Sequence, residues 1–463
     1  MKRPTAPEFL GRAARHAALA LLALAGAGCV SPGGGASTEA SATAAQAMRN
    51  DSSRYIVLAV DNPLENPAGR AGSSLGSYAP PTRYVLGSRA AAALASLAHE
   101  HGLREAAGWP IAALGWHCVV YELPAGRSRD ALLATLAHDP RVRLVQPLQD
   151  FDTRGSTSAP EPGPSRNEGP LPGSAIPLYY NDPYVDLQRG FVDTGAAQAH
   201  RLSTGAGVRI AVVDTGAALD HPDLLGRVAA QHDLVGDSAG PAGRTADADR
   251  HGTAVAGVIA AVGNNGEGIV GIAPQAQLEI FCACWPRGAA GGPANTGGAR
   301  CNSFTLAKAL AAVLATQARI VNLSLGGPRD PLLDRLLAEL LRQGRIVVGA
   351  LPPDGRRGGF PTGTPGVIAA GVAGEIDPAA ADVLAAPGRD VLTLQPGGRY
   401  DYASGSSIAA AHVTGVAALL LAADPRLDRA TLGAALLEHG SGPARLNASA
   451  ALASIETRRA ARR

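Results

Sequence analysis

Apolar and polar positions fall into blocks of different period along the chain. An unbroken apolar run extends from Ala17 to Ala27 behind Lys2, Arg3, Arg12 and Arg15. The run is too short for a permanent membrane span and carries the basic lead of an export signal, covering residues 1–28. Residues 29–53 are dominated by Ser, Gly, Ala and Thr, as expected of a flexible tether. From Arg54 to Phe151, short β-branched runs alternate with Ala/Leu-rich stretches. They predict a strand over Tyr55–Val60, a helix over Arg89–Glu100, a hairpin region over Ile111–Leu123, a second helix over Arg129–His138 and a last strand over Val142–Gln146. This is a small α+β unit, residues 54–151. Pro, Gly and Ser then dominate residues 152–177, which read as a linker.

Beyond Leu178 the pattern changes. Apolar strands such as Val208–Asp214 alternate with helical stretches such as Thr253–Ala261. Such alternation predicts βαβ units and a doubly wound, mostly parallel α/β sheet with helices on both faces, spanning residues 178–455. A basic tail closes the chain at 456–463.

Composition narrows the function classes. The chain has 463 residues, 46% hydrophobic and 17% charged, which suits more than one globular domain and excludes a disordered chain. Forty-one basic residues against 39 acidic ones give a net charge of +2, so nothing argues for a nucleic-acid partner. The local excess at Arg458–Arg463 reads as a solvated tail. Apart from Cys29, the cysteines are Cys118, Cys282, Cys284 and Cys301. In an exported protein, pairing is plausible. Cys282 and Cys284 alternate on an expected strand and so point to opposite faces. Only one of them pairs readily with Cys301 across a Gly-rich loop, and Cys284–Cys301 is the favoured disulfide. The spacing does not suit zinc, and no metal site is assigned.

Three short motifs carry candidate chemistry. Val212–Gly216 is an apolar strand ending in Asp214 and a Gly, where open α/β sheets place their ligands. Taken alone, it reads equally as turn geometry. His251–Gly257 sets a His at the entry to a small-residue helix, and a packing His is the plain alternative. Gly405–Gly415 puts Ser407 in the first turn of another such helix, where free N–H groups and the helix dipole favour an oxyanion. A Ser that merely caps the helix is the plain alternative there.

Together, and in this order, the three resemble the Asp-Thr-Gly, His-Gly-Thr and Gly-Thr-Ser-Met-Ala-x-Pro-His signatures of the subtilisin-like serine peptidases. His221–Leu224 and Val321–Gly327 also match, and the resemblance spans Asp182 to about Leu452. It implies that Ser407 is the nucleophile, His251 its base, and Asp214 the group that orients the imidazole. It further implies that Ser324, Leu325 and Gly326 bind extended substrate backbone and that Gly349 and Ala350 wall the primary specificity pocket. His412 also falls in the Ser motif and reads as a structural helix residue. The family's calcium is possible by resemblance, but no acidic loop here assigns ligands, and no other cofactor is implied.

Residues 54–151 resemble the family's propeptide, which would act as an intramolecular inhibitor in a self-processing zymogen. An accessory binding domain is the other reading. Ala27-Gly28-Cys29 resembles the lipobox of bacterial lipoproteins, with Cys29 lipidated and the protein held at a membrane; an ordinary signal peptide is the alternative. Val30 after that Cys points to the outer membrane or periplasm of the cell envelope, and processing either leaves the N-terminal unit bound as an anchored inhibitor or sheds the enzyme.

One departure bears on activity. Pro353 stands where the family has its oxyanion Asn, and Pro has neither a side-chain donor nor an N–H. Losing one such donor costs about 10²–10³ in turnover. The Ser407 N–H remains. Ser406, Ile408 and Ala411 replace Thr, Met and Pro in the Ser motif. Two readings therefore stand: a working endopeptidase, or a peptidase-shaped protein that grips peptides along Ser324–Gly326 with weak or no turnover.

Overall fold

The computed structural model describes residues 38–63, 86–155, 180–236, 249–287, 298–380, 382–437 and 444–461. The expected export signal, Cys29 and most of the expected linker lie outside the described residues.

Runs such as Ile210–Val213 are apolar at consecutive positions and therefore need cover on both faces. They receive it in an eight-stranded sheet whose neighbouring strands are all parallel. The order across it is Ala444–Arg445, Val383–Ala386, Ile368–Val372, Ile346–Ala350, Ile320–Leu323, Arg209–Asp214, Gln277–Cys282 and Val228–Asp233. Ile210 and Val212 face helices Arg250–Ala260 and Ser406–Ala423; Ala211 and Val213 face helices Ser303–Leu314 and Pro331–Arg342. The expected doubly wound α/β class is what the chain adopts. Helix Ser406–Ala423 is apolar and long enough to cross a membrane by composition, but 83% of it is buried. It is a core helix, apolar because it is covered all round.

Residues 54–63 and 86–147 form a second layer. Its antiparallel sheet runs in the order Arg104–Ile111, Trp116–Glu122, Tyr55–Asp61, Val142–Pro147. Helices Ser88–His101 and Arg129–Leu136 cover one face, packing Leu94, Leu97, Leu132 and Leu136 on Ile56, Leu58 and Tyr121. Alternation sends Val57, Trp109, Ile111 and Val120 to the other face, against Phe304, Leu310 and the leucines of Pro331–Arg342. Trp109 meets Phe304 edge to face at 5.0 Å. The buried Gln146 side chain donates to Asp330 (2.7 Å) and accepts from the Leu332 N–H (3.0 Å). Asp330 in turn caps that helix through the Leu333 N–H at 2.9 Å.

Four expectations are corrected. The hairpin starts at Arg104, not Ile111, because Gly108 and Pro110 hide a strand that Pro tolerates at a sheet edge. Within the expected tether, Thr38–Asn50 is a helix, whose Ala45 and Met48 bury one face in the core shared with Trp109. The linker does not begin at 152, since Asp150–Thr153 is a strand. The basic tail is helical as far as Ala461, continuing a helix that begins at Ala448 and is anchored by buried Ile455.

The helix correction has a measurable consequence. Met48→Ala should lower unfolding stability by about 2–4 kcal/mol in urea titrations, as for other buried large-to-small changes, whereas a residue on a tether would cost nothing.

Candidate active site

Asp214 ends strand Arg209–Asp214 at the carboxyl edge of the sheet and is fully buried. Its Oδ1 and Oδ2 lie 2.8 and 3.0 Å from His251 Nδ1, and Oδ1 also accepts from the Thr215 N–H at 2.7 Å. His251 stands in the first turn of helix Arg250–Ala260. The helix can come this close because residue 252 is Gly: a Cβ there would collide with the Gly216 carbonyl. Gly216 has φ +130°, a conformation that Gly alone adopts without strain, and the Gly252 N–H donates to Thr215 Oγ1 at 3.0 Å. The Asp and His motifs are thus one interlocked unit.

Ser407 is the second residue of helix Ser406–Ala423 and is also fully buried. Among the described residues, neither Ser407 Oγ nor His251 Nε2 has a hydrogen-bond partner. Both face the same object: a Cβ built on Gly155 would collide with Ser407 Oγ and lie 3.2 Å from His251 Nε2.

Gly155 belongs to a segment of the chain that fills the cleft. Strand Asp150–Thr153 pairs antiparallel with Leu325–Gly326 on one edge and with Ala299–Asn302 on the other. The Arg154 N–H donates to Ser324 O, and the Ser407 N–H donates to Arg154 O, each at 3.2 Å. That second donor is one of the N–H groups a helix start leaves unpaired. Phe151 is fully buried, edge to face with Phe360 at 5.5 Å and pressed on Gly327, where a Cβ would not fit. Thr153 Oγ1 accepts from the Ala299 N–H at 2.9 Å. The Arg154 side chain lies over Gly326, its Nε 2.8 Å from where a Cβ would stand. Burial lowers the pKa of that guanidinium; Asp152 opposes this, Arg287 adds to it, and Asp354 also opposes it.

Ser324, Leu325 and Gly326 therefore contact extended backbone at the site. Gly349 and Ala350 sit on strand Ile346–Ala350, buried, with Gly349 against Pro361. Neither lines the open cleft of about 690 Å³, whose wall includes Leu351, Pro352, Pro353, Gly405 and Ser406. Pro353 offers no donor, and Ser406 Oγ is committed to Leu351 O at 2.7 Å. Among the described residues, the donor to the Arg154 carbonyl is the Ser407 N–H. Residues 346–355 neither supply a second donor nor plug the cleft.

Cys284 and Cys301 lie at disulfide distance, Sγ to Sγ 1.93 Å, as expected, and steady the strand beside Asp150–Thr153. Cys118 and Cys282 are buried and lie outside that disulfide. His412 lies apart from the triad, with Nδ1 2.9 Å from Ile408 O and its ring packed on Gly190. Among the described residues, no three His, Cys, Asp or Glu side chains converge as metal ligands would. Sequence reasoning missed Phe151, Thr153, Arg154 and Gly155. Their one signal is the period-two burial of Phe151 and Thr153, only four residues long before the breakers begin.

Known proteins share this fold and much of this sequence. The Subtilase family model matches residues 205–450. Thermitase of Thermoactinomyces vulgaris is 34% identical over 252 residues, 52% of this chain and 84% of thermitase. The thermophilic serine proteinase of Bacillus sp. (strain AK1) is 33% identical over 55% of this chain and 64% of its own length. Fervidolysin from Fervidobacterium pennivorans, described as a keratinolytic enzyme related to subtilisin, superposes with a TM-score of 0.65 at 23% identity. That match covers 86% of this chain and 60% of fervidolysin, so the chain spans under two thirds of these last two proteins.

The buried histidines generate a pH prediction. Burial pushes His412 down to about 4 and also lowers His117 and His200. The unfolded chain therefore takes up these protons first on acidification. Stability present above about pH 6.5 is lost as pH falls through the folded value, by roughly 3 kcal/mol for His412. Asp150, Asp182 and Asp330, raised by burial, act in the opposite sense. Urea unfolding of Ser407→Ala between pH 7 and 4, with and without His412→Gln, should show a shallower loss in the double variant.

Proposed function

The chain belongs to the subtilase family, and from that premise we propose that it is an exported serine endopeptidase, made as a self-processing zymogen and tethered to the cell envelope through Cys29. The observation that carries the catalytic reading is the meeting of a buried Asp214–His251 pair, a buried Ser407 and a peptide carbonyl held by the Ser407 N–H.

The steps follow from these positions. Ser407 Oγ bonds to the substrate carbonyl carbon while His251 Nε2 takes its proton, and Asp214 stabilises the imidazolium through Nδ1. The oxyanion forms against the Ser407 N–H at the positive end of helix Ser406–Ala423. His251 then hands its proton to the departing amine as the C–N bond breaks, leaving an acyl-enzyme on Ser407. Water repeats the sequence: its proton passes to His251 as its oxygen bonds to the acyl carbon, the bond from that carbon to Ser407 Oγ then breaks, Oγ takes the proton back from His251, and the acyl part leaves as a carboxylate.

The zymogen reading is supported by the N-terminal layer, whose exit strand lies in the cleft as a substrate would. Bound there, that layer blocks other substrates and acts as the inhibitor. Membrane attachment rests on the Ala27-Gly28-Cys29 sequence. Cleavage near residue 152 or beyond would free the catalytic part from that anchor unless the N-terminal layer stays docked.

Pro353 is the observation that favours a second reading, a weak or inactive peptide-binding protein. The two are separated by a fluorophosphonate probe and by Pro353→Asn. An enzyme should label at Ser407, lose labelling in Ser407→Ala, and gain turnover in Pro353→Asn by up to about 10²-fold as the missing donor returns. An unlabelled, folded protein with no gain from Pro353→Asn is the binding protein.

A further inference from the structure

We propose that the bond this protein cuts in itself is Arg154–Gly155, and that the same two anchors set its preference for other substrates: an arginine on the acyl side and an aromatic residue three positions before it. This rests on the endopeptidase reading above and goes further, naming the bond and the substrate class.

The bond is fixed by register. Thr153 pairs with Leu325 and Asp152 with Gly326, so the next residue delivers its N–H to Ser324 O and its carbonyl to the Ser407 N–H. The Arg154–Gly155 peptide lies flat on Gly405, where a Cβ would collide with the Arg154 carbonyl oxygen and lie 2.7 Å from Gly155 Cα. The two unpartnered reactive atoms, Ser407 Oγ and His251 Nε2, converge on Gly155, whose nitrogen is the leaving amine. Gly155 borders the open cleft together with Gly388, Ser404 and Gly405. In the cut, Ser407 Oγ bonds to the Arg154 carbonyl carbon, the C–N bond to Gly155 breaks, and the Ser407 proton ends on the Gly155 amine through His251. Water then releases Arg154 as a new carboxylate.

The preference follows from what surrounds the two anchoring side chains. Gly326 leaves room for the length of Arg154, whose Nε is buried there and, among the described residues, has no hydrogen-bond partner. Asp152, on the same segment, is held by Arg287, so it is the room over Gly326 that selects a long side chain. Phe151 fills a fully apolar site between Phe360 and Gly327. A flat aromatic ring suits that slot, and the absent Cβ of Gly327 is what admits it.

The test uses the full chain purified with and without Ser407→Ala, with fragments identified by intact mass and N-terminal sequencing. A Ser407-dependent fragment beginning at Gly155 is expected, and Arg154→Glu should slow its appearance by about 100-fold while Arg154→Lys retains part of the rate. Since a variant could fail to fold, the released enzyme is also given fluorogenic Phe-Asp-Thr-Arg, Phe-Asp-Thr-Ala and Ala-Asp-Thr-Arg peptides. The first should have the highest kcat/KM, and replacing either its arginine or its phenylalanine by alanine should lower kcat/KM by about tenfold or more. A Ser407-dependent cut elsewhere, fluorophosphonate labelling without any self-cleavage, or equal kcat/KM across the peptides overturns this inference and leaves the endopeptidase reading standing. No cleavage of chain or peptide together with no labelling overturns both.

Discussion

Asp150–Thr153 is hydrogen-bonded along both edges, by Leu325–Gly326 on one side and Ala299–Asn302 on the other, with Phe151 sealed in an apolar site between them. A backbone held this way has no freedom of register. A slip of one residue would turn Phe151 toward solvent and put Asp152 in its place, exchanging a buried ring for a buried charge. The N-terminal layer fixes where the strand starts, through Trp109 on Phe304 and Gln146 on Asp330. The strand fixes where Arg154 ends up, with its carbonyl at the Ser407 N–H in the first turn of helix Ser406–Ala423. Packing some distance from the chemistry thus sets which atom meets the nucleophile.

The catalytic geometry depends on close approach in the same way. Gly252 against the Gly216 carbonyl brings a helix onto a strand end, and Gly405 lets a peptide lie on the start of another helix. Each site would admit a larger residue only by moving His251 from Asp214 or the carbonyl from Ser407. These glycines lie inside the motifs that made the site readable, so the sequence signal and the steric requirement are the same residues.

Legibility followed how much of an element's stability is local. Ile210–Val213 announces a doubly covered strand because every side chain is apolar, and the triad announced itself through three motifs whose order and spacing agree. Arg104–Ile111 did not, because Gly108 and Pro110 are breakers in any local reading, and only the neighbouring strand and an edge position make them tolerable. Thr38–Asn50 reads as tether because Ala, Ser and Thr carry little pattern; it is the burial of Met48 that holds it as a helix. Thr153–Gly155 was hidden for a different reason. Its conformation is dictated by a cleft more than a hundred residues further along the chain, a constraint no local window contains.

That same constraint bears on the loss of the oxyanion Asn. A missing donor costs about 10²–10³ in rate. A segment delivered by its own chain, with register locked and carbonyl already on the Ser407 N–H, draws on an effective concentration of about 10⁵–10⁸ M. On the proposed reading, the intramolecular cut is the reaction least harmed by Pro353, because positioning outweighs the missing hydrogen bond. Turnover of free peptides lacks that advantage and bears the full loss. Cutting one bond also leaves both edges of Asp150–Thr153 paired and the core around Trp109 buried, so the N-terminal layer keeps its hold after cleavage. Release of that layer, rather than the first bond cleavage, then becomes the step that limits when the cleft opens to other chains.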